Sequence, residues 1–170
     1  MANSKDNLID WLRDAYAMES QAVEMLERQA ERIKSYPDVL AKVQEHIQVS
    51  NRQADRLKQS LQRLGADTSA IKTGIAMLMG NAQSLSGIVV GDEIVKAGIF
   101  NYAFEHFEIA NYRSLIAAAE SCGETEIAGL LKQSLDEELE MAGWLEQRLP
   151  QLTKTYLERK DATSTAEAKR

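Results

Sequence analysis

Glu105 and Glu108 stand one helical turn apart in the segment Phe104-Glu105-His106-Phe107-Glu108-Ile109-Ala110. A stripe through Val95, Ile99, Tyr102, Glu105, Ile109, Tyr112, Ile116 and Ala119 steps by three or four residues, so a helix here aims one carboxylate at an otherwise apolar face. Glu108 lies at the flank of that stripe, where both acids can reach one ligand. Carboxylates on an inward face are costly unless they are protonated, paired or coordinated to a metal. The pattern recurs twice. Glu19 interrupts the stripe Leu8, Leu12, Ala15/Tyr16, Val23, Leu26, Ala30, Ile33, and Glu138 interrupts Ile127, Leu131, Leu135, Ala142, Leu145, Leu149, with Glu137 beside it and Glu140 nearby. His46 flanks a fourth stripe. Carboxylates supplemented by imidazole form the hard donor set of an iron or manganese site.

The plainer reading of any single residue is structural. A lone Glu on an amphipathic helix is usually solvated, and Glu108 and Glu140 are open to that reading. His46 is equally readable as a hydrogen-bonded flank residue. His106 follows Glu105 and points away from the core. Tyr16, Tyr102 and Tyr112 read as core, although a tyrosine beside a metal can hydrogen-bond a ligand carboxylate. Inward acids on three separate helices are harder to dismiss together.

Long helices must position these groups. Apolar residues make up 44% of the 170, and 9 Gly with 2 Pro leave few breaks. One domain is expected over 1–159, with 160–170 as a disordered tail. A net charge of −6 without a Lys/Arg cluster argues against nucleic acid as a partner. Cys122 is the single cysteine, which excludes a disulfide framework and a thiolate zinc site. No apolar block long enough for a membrane span or a signal peptide is visible, so a cytoplasmic protein is expected.

The first helix is capped by Asn3 or Ser4 and ends at Tyr36-Pro37. The second carries Leu40, Val43, Ile47, Ser50, Ala54, Leu57, Leu61 and Leu64, with His46, Val49 and Gln53 on one flank and Gly65 as its stop. A long apolar connection with a short helix around Ile71–Met79 follows. Asp92 opens the third helix, Gly98 is a weak point near its start, and Cys122-Gly123 ends it. Pro150 ends or kinks the fourth, and Leu152–Leu157 adds a short extra one. Two short hairpins joined by one long crossover are the ferritin-like form of an up-down four-helix bundle, an all-α fold. Tyr16-Ala17-Met18-Glu19 and Tyr102-Ala103-Phe104-Glu105 echo each other across the halves. The apolar crossover, Ile75 to Val90, is expected to pack on the bundle or to form a symmetric interface, making the protein a homo-oligomer, a dimer.

Glu19-Ser20-Gln21-Ala22 and Glu105-His106-Phe107-Glu108 resemble the ligand segments of rubrerythrin. More closely, the chain from about Leu8 to Pro150 resembles the bacterial YciE/YciF family of stress-associated ferritin-like proteins, YciE above all. Asp10 to Ala15, Ala17-Met18-Glu19, Asp92 to Lys96, Phe107 to Ala110 and Glu137-Glu138 with Ala142 to Leu145 carry this resemblance. It implies one or two metal ions, iron or manganese, held by Glu19, Glu105, Glu108, Glu137, Glu138 and His46. It also implies oxygen or peroxide redox chemistry if the metal turns over. The chain departs from the pattern where the family reads His-Leu-x-Glu-Thr, because Val49 replaces the second-helix carboxylate. The rubrerythrin-like histidines of helices two and four are absent too. The alternative is therefore a structural or interaction protein on a ferritin-like scaffold with a degenerate site.

Overall fold

A computed structural model of the chain describes residues 3–68 and 92–168. The described residues form α1 (Ser4–Arg32), α2 (Pro37–Arg63), α3 (Glu93–Ser121) and α4 (Thr125–Ala168). Asn3 begins α1 with a capping box, its side chain accepting from the Asp6 amide while the Asp6 carboxylate accepts from the Asn3 amide, both at 3.0 Å. Pro37 opens α2, where its missing N–H costs nothing. Gly65 and Gly123, both with positive φ, turn the chain after α2 and α3. The short helix expected near Ile71–Met79 and the apolar crossover Ile75–Val90 lie outside the described residues.

Helix directions follow from pairs at the two ends. α1 and α3 run antiparallel, since Asn101 meets Gln29 and Tyr112 meets Glu19. α2 and α4 run antiparallel, since Arg56 meets Glu137 and Arg148 meets Asp38. Each hairpin packs its own two helices together, and the hairpins join through α1 on α3 and α2 on α4. α2 and α3 therefore point the same way. Arg63 at the end of α2 pairs with Glu126, whereas Glu93 at the start of α3 pairs with Arg32 at the opposite end. The end of α2 and the start of α3 therefore lie at opposite ends of the bundle, as the expected long crossover requires.

The core combines Leu8, Leu12, Met18, Leu57, Leu61, Tyr112, Ile127 and Leu131. In the first half of α3 the burial stripe is rotated from the expected one. Ile94, Gly98 and Asn101 are buried, while Ile99 is 57% exposed. That half of α3 is apolar around much of its girth, so periodicity alone could not choose the face. Gly98 is buried for a packing reason: a Cβ there would lie 2.8 Å from Leu149 Cδ2.

Pro150 does not end the fourth helix. α4 continues through it to Ala168, and Leu152–Leu157 belongs to α4 rather than to a separate helix. Residues 160–168, read from composition as a disordered tail, are helical as well. A proline removes one helical hydrogen bond, but the residues beyond it are anchored. Leu152 is buried, and Arg159 donates to the Ser35 carbonyl at 2.9 Å while its guanidinium lies 4.4 Å from the Tyr36 ring centroid. Tertiary contacts outweigh the local break.

Gly98→Val should lower the thermal midpoint and cost about 1–3 kcal/mol, because the added side chain must displace Leu149 from a packed interface. Unfolding in urea with unchanged m would check this. A neutral result would show that Leu149 can move aside freely.

Candidate metal centre

Successive turns of α2, α3 and α4 deliver polar groups to one point inside the bundle. His46 comes from α2, Glu105 and Glu108 from α3, and Glu138 from α4, with one ligand atom of each within 4.8 Å of the others. All four are buried. His46 Nε2 lies 3.4 Å from Glu105 Oε2 and 3.8 Å from Glu138 Oε2. Glu19 of α1 is fully buried on the adjoining side, where the Tyr112 hydroxyl donates to its Oε1 at 2.5 Å. Glu19 raises the carboxyl pKa of Glu105 and of Glu108 by charge, so the four acids share one electrostatic neighbourhood.

Of the six residues singled out from sequence, four converge here, Glu19 adjoins them, and Glu137 does not. Glu137 forms a two-pronged pair with Arg56, at 2.6 and 2.8 Å, on the flank between α2 and α4. Glu140 is exposed and lies 3.7 Å from Lys42. His106 is exposed, edge-on to Tyr102 at 4.7 Å. Gln53, on the flank of its stripe in the sequence, is fully buried, and its amide donates to Glu138 Oε1 and, at 3.4 Å, to the Ser134 carbonyl. Its spacing of seven from His46 puts both on one face, and that was the available signal.

Burial dominates the titration of every acid here. It pushes Glu19, Glu108 and Glu138 well above the ordinary carboxylate range, and neighbouring carboxylates push them further. Glu105 is raised less, to about 7, because a hydrogen bond shared with Glu138 offsets part of its desolvation. Burial lowers His46, against the opposing pull of Glu138, which favours the neutral imidazole with a free lone pair. Tyr112 is raised by burial and by Glu19, so it remains a donor to that carboxylate.

The donor set fits a hard or borderline divalent cation. Glu19 Oε2, Glu105 Oε2, Glu108 Oε1 and Glu138 Oε2 are buried without a hydrogen-bond partner among the described residues. Unpartnered oxygens on four buried acids are the coordination capacity a cation would take up. On α2 the ligand face offers one imidazole and no carboxylate, and Val49 is half-buried beside it.

Two antiparallel hairpins whose linked helices α2 and α3 run the same way, with acids and an imidazole converging inside, define a ferritin-like bundle. A family described as Domain of unknown function (DUF892) matches residues 3–158. The chain belongs to this family, the YciE/YciF-type group of ferritin-like proteins. A solved protein of Xanthomonas campestris is 36% identical, over 94% of this chain and 99% of that one, with a TM-score of 0.80. The Escherichia coli stress protein YciF is 23% identical over 91% of this chain and 99% of its own, with a TM-score of 0.75. A Desulfovibrio desulfuricans bacterioferritin with a diiron site shares the fold at 19% identity and a TM-score of 0.74, over 94% of this chain and 91% of that one. No helix among the described residues is long and apolar enough to cross a membrane.

The raised carboxyl groups fix a sign for pH dependence. The folded metal-free chain keeps protons that the unfolded chain loses near 4.5, so stability is full below that pH and falls as pH rises through about 7 for Glu105. Each retained proton contributes a slope of roughly 1.4 kcal/mol per pH unit. The metal-free thermal midpoint should therefore drop between pH 5 and pH 8. Glu105→Gln should flatten the profile and add about 1–3 kcal/mol at pH 8. A midpoint that climbs with pH would mean that the acids are ionised and paired in the folded state.

Proposed function

We propose that this chain is a stress-associated metal-binding protein of the cytoplasm that holds a divalent cation, iron or alternatively manganese, among His46, Glu105, Glu108 and Glu138, with Glu19 at the edge of the site. The observation that carries this reading is the convergence of four ligand atoms within 4.8 Å in a buried space where the acids keep unpartnered oxygens. Iron held there would supply one-electron chemistry toward oxygen or peroxide.

The protein's own groups prepare the site. Gln53 fixes one oxygen of Glu138 and leaves the other facing His46 and Glu105. Tyr112 fixes one oxygen of Glu19 and leaves the other unpartnered. Arg56 holds Glu137 outside the cluster and supplies a positive charge that steadies Glu19. Protons held by the acids in the metal-free protein must leave as a cation enters, so affinity should increase with pH. One ion is favoured over two because bridging two cations calls for negative charge from both halves, and α2 contributes only His46. The self-association expected from the apolar crossover remains part of this proposal.

A second reading, a structural or interaction protein with a degenerate site, is favoured by Val49, which leaves α2 without a ligand carboxylate. Titration separates the two. Calorimetry of the metal-free protein with ferrous or manganous ion under argon should give one equivalent bound and more than one proton released, read from the buffer dependence of the enthalpy. Glu138→Gln and His46→Ala should each weaken binding at least about tenfold. Glu137→Gln should leave it within about threefold. No saturable binding by the wild type would overturn the metal reading.

Val49→Glu tests the stoichiometry. Position 49 lies three residues from His46 and four from Gln53, so a carboxylate there reaches the same face. The variant should bind closer to two equivalents and lose about 1–3 kcal/mol of metal-free stability. Two tight equivalents already present in the wild type, with none gained, would remove position 49 from the account.

A further inference from the structure

At the end of the bundle that carries the α1–α2 turn, a cavity of about 20 Å³ lies among all four helices. Ile33 of α1, Val43 of α2, Ile94 of α3 and Leu149 and Leu152 of α4 supply hydrocarbon to its walls. Gly98 sets how closely α3 and α4 approach beside it, since a Cβ there would lie 2.8 Å from Leu149 Cδ2 and 3.5 Å from Leu152 Cδ2. The polar side chains around it have partners elsewhere. Asn101 donates to Gln29 Oε1 at 2.7 Å, and Arg148 is held by Asp38 and by Gln151, at 2.6 Å to the latter. The surface that faces the cavity is almost wholly apolar. Packed interiors hold few voids larger than a water molecule, and this one draws its walls from both hairpins.

We infer that this cavity is a dry binding site for a small apolar gas molecule of the size of dioxygen. The volume exceeds the roughly 10–15 Å³ that one water needs, so a molecule of that size fits, and any organic substrate of ordinary size is excluded. Water does not settle there, because it needs about two to four polar partners and the walls offer hydrocarbon. An ion would lose its hydration for nothing in return. An apolar gas gives up no hydrogen bonds on leaving water and gains dispersion contacts with the walls. No permanent channel is required, since engineered apolar cavities inside packed proteins take up benzene or xenon. Walls of this kind do not tell one apolar gas from another of like size, so the ligand is defined by its class. Occupancy follows from the walls alone and is independent of the metal-binding reading.

Xenon and dioxygen are the probes, applied to the full-length protein. Methyl NMR signals of Val43, Ile94, Leu149 and Leu152 should shift saturably under xenon pressure. Dissolved dioxygen, which is paramagnetic, should relax the same methyls most strongly. Leu61 and Leu131, fully buried toward the other end of the bundle, are the internal controls and should respond weakly and linearly. Val43→Ile and Ala97→Leu each add carbon at a residue that lines the cavity, one on α2 and one on α3. Each should weaken the xenon response at least about tenfold while leaving the thermal midpoint equal or higher. Two variants on different helices guard against one of them misfolding, and far-ultraviolet circular dichroism confirms the fold of each. Linear xenon shifts shared with Leu61 and Leu131 would overturn the site. So would an ordered water in the cavity of a wild-type crystal, or filled variants that respond as the wild type does.

Discussion

The cost of burying several carboxylates in one bundle is the constraint to which the rest of the structure answers. An ionised acid at the centre of four helices loses its hydration, and its neighbours are acids as well. The metal-free protein tolerates this by keeping protons and by sharing hydrogen bonds between Glu105 and Glu138, between Tyr112 and Glu19, and between Gln53 and Glu138. These groups are what a cation would find already oriented. The same arrangement that is costly in the metal-free protein is therefore what would give it affinity for a cation. Buried pairs and networks of this kind contribute little to stability in themselves.

Much of this was legible in the chain. Long apolar stripes gave four helices with inward acids on three of them, and turn residues at Pro37, Gly65 and Gly123 marked their ends. What periodicity missed is where a helix face is chosen by partners. Asn101 is buried because Gln29 of another helix meets it, and Ile99 is exposed in consequence of the same rotation. Gln53 looks like a flank residue until Glu138 arrives opposite it. Glu137 and Glu138 are neighbours in sequence and equally acidic. Their side chains stand about 100° apart around α4, and Arg56 of α2 holds Glu137 on the flank, a partner that the sequence of α4 alone does not reveal.

Pro150 shows the same lesson at the level of an element. Local chemistry argues for a stop, and the residue does forfeit a hydrogen bond. Leu152 and Tyr156 beyond it pack into the core and Arg159 reaches Ser35 and Tyr36 of the other hairpin, so continuing the helix gains more than ending it. The long fourth helix then brings its distal turns against the α1–α2 turn at Ser35 and Tyr36.

The order of the helices has a kinetic consequence. Each hairpin is made from contacts close in sequence and can form quickly, whereas docking one on the other must close a long connecting loop. The cluster draws its imidazole from the first hairpin and three of its acids from the second. Three like-charged acids meet when the second hairpin forms, and His46 and Glu19 join them only on docking, so neither half holds the full set alone. Docking of the two halves is thus the step that completes the set, and it is the step that protonation of the acids, or a bound cation, would favour.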